Sequence, residues 1–328
     1  MSTRRKFLSS LSAAALALCS LGLGASHAQA AYPEKPVTLL VPYSAGGPTD
    51  LIARQLAQGL GELWGQSVVV ENRTGASGIV ALSALNRAAP DGYTLGIMVT
   101  PVTAIAPLTQ KDFRLDVTKD FTAVTDLVDY ALVLLAGPQA QASTLKELID
   151  RAKADPQAIS YGSSGIGGTN HLAGEIFSRA AGAPMLHVPY KGNAPAISDA
   201  MGGQISFVFA QTDAAIGLAD SGKFTALAIT SGERNPAVPN IPTLAEQGLD
   251  VRVEGWTGVM GPAGMPAEIV KTLEDSIAKV KDTPAFKEKM ESLGFVITPT
   301  SSEAFTQRVQ EERDFWKKKI EDENIPLQ

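Results

Sequence analysis

Three short stretches of the chain carry the residue types from which an anion site is built. In VPYSAGGPTD (Val41 to Asp50), small residues and the pair Gly46-Gly47 separate an apolar run from a segment with Leu51, Ile52, Leu56 and Leu60 near helical spacing. In YGSSGIGGTNH (Tyr161 to His171) the arrangement returns, with Gly165, Gly167 and Gly168 and the hydroxyls of Ser163, Ser164 and Thr169. Where a strand end passes through glycines into a helix start, the first N–H groups lack intrahelical partners and attract negative charge. The spacing matches: Gly46-Gly47 stands three residues before Asp50-Leu51, and Gly167-Gly168 three before His171-Leu172. A third loop, ENRTGASG (Glu71 to Gly78), repeats the pattern with Arg73, Thr74 and Ser77. Tight turns explain any one loop; the matched pair points to a ligand held from two sides. Micromolar binding needs about −8.2 kcal/mol, whereas a helix end supplies about 0.3–1 and a charge-assisted hydrogen bond about 1.5–3. Several convergent donors are therefore required. Tyr43, Tyr190 and Gln211 stand just past strand ends, where they can line such a cleft.

Enzymatic chemistry fits these loops less well. A nucleophile elbow needs G-x-S-x-G, and Gly162-Ser163-Ser164-Gly165-Ile166 puts isoleucine in the last position. A secreted hydrolase using Ser164 and His171 stays as an alternative. His171, at a helix start, reads as a cap or ligand contact, and His187, inside an apolar strand pattern, as a core histidine. No lysine follows the glycine pairs as in a phosphate loop, and Gly165-x-Gly167-Gly168 lacks the dinucleotide spacing. Asp50, Glu175 and Asp213 are scattered, and one cysteine with three histidines cannot build a zinc site. We expect neither metal nor cofactor, and no catalytic residue. The net charge of −6 also lacks the basic footprint of a nucleic-acid binder.

The elements that must position the loops follow an alternating grammar. Val37 to Val41, Val68 to Val70 and Tyr93 to Val99 read as strands, with helices from Thr49 to Leu63 and up to about Ala88 between them. A second unit runs strand Ala158 to Tyr161, helix His171 to Ala181, strand Met185 to Val188, helix Ala194 to Met201, strand Ile205 to Ala210. The order predicts two parallel-sheet lobes whose loops lie at the carboxyl ends of the strands. Phe121 to Ala136 is long enough for one strand leaving the first lobe and another entering the second, and Val251 to Met260 is the natural return. The lobes are thus expected at residues 31–128 with 253–328, and at 129–252. Helices follow at Pro266 to Lys281, Pro284 to Leu293 and from Thr300, with Glu303 in capping-box position. The charged tail from Glu311 to Glu323, with Phe315, Trp316 and Ile320, reads as an amphipathic helix presenting a solvated face.

Residues 1–30 read as an address. Arg4, Arg5 and Lys6 precede an apolar run from Leu11 to Leu23 and a small-x-small site, Ala28-Gln29-Ala30. Thr3-Arg4-Arg5-Lys6-Phe7-Leu8 resembles a twin-arginine export signal. Cleavage before Ala31 removes Cys19, the only cysteine, so the exported protein relies on packed cores without a disulfide.

Beyond these patterns, the strings VPYSAGGPTD, ENRTGASG, Pro90-Asp91-Gly92-Tyr93, YGSSGIGGTNHLAGE, VPYKGNAPA and WTGVMGPAGMP together resemble the Bug family. Its members are the extracytoplasmic solute-binding receptors of tripartite tricarboxylate transport systems. The likeness runs through nearly all of residues 32–325. It implies an α/β, two-lobe periplasmic binding protein fold, type II-like, with two crossing strands as hinge. It also implies that Tyr43, Ser44, Ala45, Gly46 and Gly47, Ala76, Ser77 and Gly78, and Ser163, Ser164, Gly165, Gly167 and Thr169 grip a carboxylate through backbone amides, hydroxyls and ordered water. Family ligands include di- and tricarboxylates, acidic amino acids and aromatic or nicotinate-like acids. The chain departs from the family after Ile205 to Ala210: Gln211-Thr212 precede Asp213, and no proline follows before Pro236. We therefore expect a soluble periplasmic receptor, acting as a monomer, that takes a small organic carboxylate to membrane permease subunits, with Tyr190 and Gln211 tuning selectivity. A ligand-sensing subunit of a signalling system is the alternative within the same fold.

Overall fold

The computed structural model describes residues 32–298 and 301–322 of the chain. The expected export signal with its cleavage site, Thr300, and Glu323 at the end of the charged tail lie outside the described residues. Strand β1 (Val37–Val41) is the apolar run VTLLV, buried almost throughout, as a parallel strand covered by helices on both faces must be. Helix α1 (Pro48–Trp64) starts with Pro48 in its first turn and stops at Gly65, whose left-handed φ of 64° closes the last turn. Strand β2 (Val68–Asn72), helix α2 (Ile79–Asn86) and strand β3 (Thr94–Val99) complete a parallel β2-β1-β3 arrangement.

Strand β4 (Phe121–Ala136) then runs 16 residues without a break. The sequence suggests two strands here; one strand forms because no glycine or proline interrupts the run, and 16 residues extend about 50 Å, enough to serve both halves of the molecule. Helix α3 (Leu145–Ala154), capped by the Thr144 side chain, leads to strand β5 (Ser160–Ser163), helix α4 (Thr169–Ala180), strand β6 (Leu186–Pro189), helix α5 (Asn193–Met201) and strand β7 (Phe207–Gln211). Helix α6 (Thr212–Asp220) and strand β8 (Thr225–Ile229) follow. Strand β9 (Glu254–Pro262) returns antiparallel to both β3 and β4. Helices α7 (Ala267–Lys281) and α8 (Pro284–Ser292), the short strand β10 (Val296–Ile297) and helix α9 (Ser302–Asp322) end the described chain. The ladder order is β2-β1-β3-β9-β4-β7-β5-β6, with β8 and β10 pairing β4.

Two hydrophobic clusters draw on opposite ends of β4. One gathers Leu82, Met98, Trp256, Phe305 and Val309; the other Val133, Leu135, Val208, Phe224 and Ile229. Along β4 the register with β9 shifts twice, between Ala123 and Thr125 and between Asp126 and Val128, which marks bulges and added twist. The two crossings are tied at buried Thr230, whose hydroxyl accepts from the Leu132 amide and donates to the Val253 carbonyl.

Helix α9 corrects the solvated-face expectation. Phe305, Val309, Trp316 and Ile320 are buried, and only Phe315 among the expected aromatic and aliphatic residues is exposed. Its cap is Ser301, whose hydroxyl accepts from the Ala304 amide. Polar side chains on the same helix reach the crossing strands. Arg308 bonds Asp126 and lies 2.8 Å from Asp129 on β4. Glu312 accepts from the Trp256 indole of β9 and from the Thr100 hydroxyl at 3.3 Å.

Candidate functional site

The glycine loops meet as the spacing predicts at the helix starts. Gly47 caps α1 and Gly168 caps α4, both in extended conformation (φ −79°, ψ 170° and φ −74°, ψ 153°), and neither cap has a side-chain acceptor. Gly192 caps α5 in the same unassisted way. The first-turn amides of these helices lack backbone acceptors within the helix and carry the positive end of its dipole; in α4 the His171 amide donates to Asn170 Oδ1 at 3.1 Å. Gly47, Thr49, Gly168, Thr169, Asn170, Gly192 and Asn193 all border one cavity of about 640 Å³. Gln211, the residue preceding α6, borders it as well.

Of the side chains and loop residues expected at the ligand, Tyr43, Gly47, Ser77, Ser164, Gly165, Gly167, Thr169, Tyr190 and Gln211 line this cavity. Ser44, Ala45, Gly46, Ala76, Gly78 and Ser163 stand outside its wall. The Gly46 amide donates to Asp50 Oδ2 at 2.8 Å, so it holds the loop rather than facing the cleft. Gly78 is buried because its α-carbon abuts Val102 and Pro42; a Cβ there would stand 2.5 Å from Val102 Cγ2. Ser163 is fully buried, with its Oγ 2.7 Å from His187 Nε2 and accepting from the Gly165 amide at 3.1 Å. Ala76 and Ser77 both adopt positive φ (45° and 53°), a strained pair of the kind that collects at functional loops. Gly167 needs its missing side chain twice over: φ is +80°, and a Cβ would touch Thr109 Oγ1 at 3.0 Å.

The sequence did not single out several wall residues. Tyr130, from the largely buried strand β4, faces Thr169 and Gln211 with its phenol. Burial raises the Tyr43 and Tyr130 phenols well above the usual range, so both remain protonated donors at any physiological pH. Asn170 caps the loop: its Oδ1 accepts from the Ser164 hydroxyl at 2.9 Å, while its amide donates to Asn193 Oδ1 at 3.0 Å and so joins two helix starts. The Tyr190 hydroxyl donates to Asp199 at 2.8 Å, which leaves the ring as its contribution to the wall.

Charge sorts this cavity from a larger one. Among the described residues, the wall of the 640 Å³ cleft contains no aspartate or glutamate and one cation, Lys191. Apolar Ile52, Val99, Leu132 and Phe209 belong to the same wall. A cavity of about 950 Å³ against α7, α8 and β10 is bounded instead by Glu274, Asp275, Asp282 and Glu291 as well as Lys281 and Lys287, a lining ill suited to an anion. Among the described residues no group of three or more His, Cys, Asp or Glu is placed to hold a metal ion, and no helix is long and apolar enough to cross a membrane.

Asp50 explains how the first loop keeps its shape. It is buried, and accepts from Gly46, from Arg54 at 2.8 Å and from Asn72 at 2.9 Å. Burial opposes its ionisation, but these donors outweigh it and hold the carboxyl below its ordinary value. Asp50→Ala strands the Gly46 and Asn72 donors, and urea unfolding should register a loss of about 1–3 kcal/mol.

Two sheet halves joined by two crossings, with helix starts aimed into one cleft, define a two-lobed α/β solute-binding protein of the periplasmic class. The chain belongs to the family described as tripartite tricarboxylate transporter family receptor, which it matches over residues 52–325. It is 32% identical to BugT of Bordetella pertussis over 293 residues, 88% of this chain and 90% of that protein. Among solved structures, a Rhodopseudomonas palustris protein with adipate is 31% identical with a TM-score of 0.84, covering 90% of this chain and 100% of the other. MatC from Rhodopseudomonas palustris with bound malate is 29% identical with a TM-score of 0.79, covering 88% and 100%.

Proposed function

We propose that this protein is an extracytoplasmic receptor that captures a small organic carboxylate in the 640 Å³ cleft and delivers it to the membrane subunits of a tripartite tricarboxylate transporter. The observation that carries this reading is the composition of the cleft: three uncapped helix starts and one lysine converge on a wall without a single carboxylate. Protonated phenols and amide side chains supply neutral hydrogen bonds, and the apolar part of the wall suits a short carbon chain or ring. Adipate and malate in similar proteins are small acids of this kind.

In this reading the lobes are residues 31–128 with 253–328 and residues 129–252, and closure bends β4 and the return at Val251–Val253. Ligand favours the closed form because only there do both sets of helix starts reach it. Binding rather than hydrolysis fits the serines. Ser164 donates to Asn170 instead of a base, and Ser163, which does meet a histidine, is sealed from the cleft.

A thermal-shift screen of residues 31–328 against adipate, malate, citrate, glutamate and benzoate tests the proposal. At about 100 times a micromolar Kd, linkage gives roughly 2.7 kcal/mol of stabilisation. A shift confined to one class of acid names the ligand class, and no shift with any of them contradicts the carboxylate reading.

A further inference from the structure

Beneath the loop that joins β5 to α4 lies a polar cluster which the ligand reading leaves unused. His171 is 4% exposed and sits one residue after Asn170 in the first turn of α4. Its Nδ1 accepts a hydrogen bond from the Gly167 amide at 3.2 Å. Only a ring with a lone pair on Nδ1 can do this, so the neutral ring carries its proton on Nε2, which points toward Glu175 Oε1 at 3.9 Å. Glu175 is held in turn by the Tyr161 hydroxyl at 2.5 Å. The His187 ring of β6 packs 4.2 Å from the His171 ring, stacks on Tyr161 at 5.0 Å and reaches Ser163.

Each partner on this list belongs to the loop or to its support. Gly167 borders the cleft at positive φ, and Ser163 fixes Gly165, another glycine of the cleft wall. The imidazole therefore acts on the ligand site without touching it.

We propose that His171 is a positioning residue for the ligand-gripping loop, and that the loop keeps its binding shape only while this ring is neutral. This deepens the carboxylate reading and rests on it. A proton on Nδ1 would face the Gly167 N–H with a second donor and replace an attraction by a repulsion. The charged and titratable groups around the ring are Glu175 on its own helix, His187 from β6 and, through Glu175, Tyr161 from β5. Burial pushes His171 down to about 4, and it pushes His187 down to about 4 as well, with His171 adding to the effect and Glu175 opposing it. The ring is thus neutral throughout the range in which an exported receptor works, and the loop opens only in acid.

The test uses two variants and one spectroscopic observation on residues 31–328, with adipate and malate as probes. His171→Asn offers an amide oxygen near the Nδ1 position but does not titrate; His171→Leu offers no acceptor. At pH 7.5 the Asn variant should bind within about threefold of the unaltered protein, and the Leu variant about tenfold more weakly, as befits one hydrogen bond. From pH 6 to pH 4 the unaltered protein should lose affinity faster than His171→Asn; the probe's own titration is common to both and cancels in the ratio. Nitrogen-15 spectra of the imidazole should place the proton on Nε2 at pH 7, with the Gly167 amide shift following the ring's titration below about pH 5.

Superimposable pH profiles for the unaltered and Asn proteins would overturn the proposal, as would Leu binding equal to the unaltered protein or a proton on Nδ1 at pH 7. Should His171→Leu fail to fold, the Asn profile and the spectra decide. Should neither adipate nor malate bind at pH 7.5, the acid that the thermal screen identifies replaces them; should no acid of the screen bind, the carboxylate reading fails, and the spectra alone still decide whether His171 holds Gly167.

Discussion

Replacing Arg308 with methionine is expected to lower the free energy of unfolding by about 3–5 kcal/mol at pH 7.5. The guanidinium answers Asp126 and Asp129 on β4, and its charge reaches Glu312 one turn along its own helix. Asp126 has no exposed surface, so removing its partner leaves its carboxyl either charged in the core or forced to take up a proton. Lys281 lies nearby, but its ammonium donates to the carbonyl oxygens of Asp126 and Thr298, not to the carboxylates.

The loss should depend on pH in a defined direction. Burial raises Asp126 to about 8, with Asp129 adding to it, and burial raises Glu312 to about 7; Asp129 shifts upward for the same first reason. Between the ordinary carboxylate range and these values the native state binds more protons than the unfolded state, so this cluster's contribution to stability is full in acid and is lost as pH rises. Without Arg308 the carboxyls rise further, and the fall becomes steeper. Urea titrations should therefore find the deficit of the methionine variant largest near pH 8 and smallest near pH 5. A pH-independent deficit would mean that lost packing, and not stranded charge, is responsible.

The second large effect is expected from Gly255→Val. Gly255 faces Tyr130 across the β4–β9 ladder, and a Cβ at this position would stand 2.3 Å from Tyr130 Cζ and 2.4 Å from its hydroxyl. The phenol must move, and it is part of the cleft wall. Overpacking of this kind costs about 1–3 kcal/mol of stability. Affinity for whichever acid the thermal screen identifies should fall about tenfold or more as the Tyr130 contact is lost. Tyr130→Ala in the same chain relieves the clash, so the stability costs of the two substitutions should combine to less than their sum. Additive costs would show that the ring is not what Gly255 accommodates.

Much of this arrangement was legible in the sequence because it depends on local rules. The Gly-Gly pairs before Asp50 and His171 mark helix starts wherever the chain folds, and both became caps without side-chain acceptors. The parallel units followed from alternating apolar runs and helical spacing. What stayed hidden depends on partners far away in sequence. Tyr130 lies in a run buried on both faces, where periodicity carries no sign of which side chain meets a cleft. Strand β8, with alanines where bulky β-branched residues usually signal a strand, was not foreseen, and neither was the burial of Glu312, whose partners Thr100 and Trp256 are 212 and 56 positions away. Glycines also signal two things at once. Gly46 and Gly78 share motifs with cleft residues, yet one holds Asp50 and the other makes room for Val102.

The most direct test of the central claim is to follow backbone amide signals of the isotopically labelled chain while the best acid of the screen is added. The account predicts that the amides of Gly47, Thr49, Gly168, Thr169, Gly192 and Asn193 shift together, with one midpoint, because one carboxylate ligand draws on all three helix starts. Shifts confined to the wall of the larger cavity, around Ala237, Ala278 and Ile297, or to one helix start alone, would contradict it.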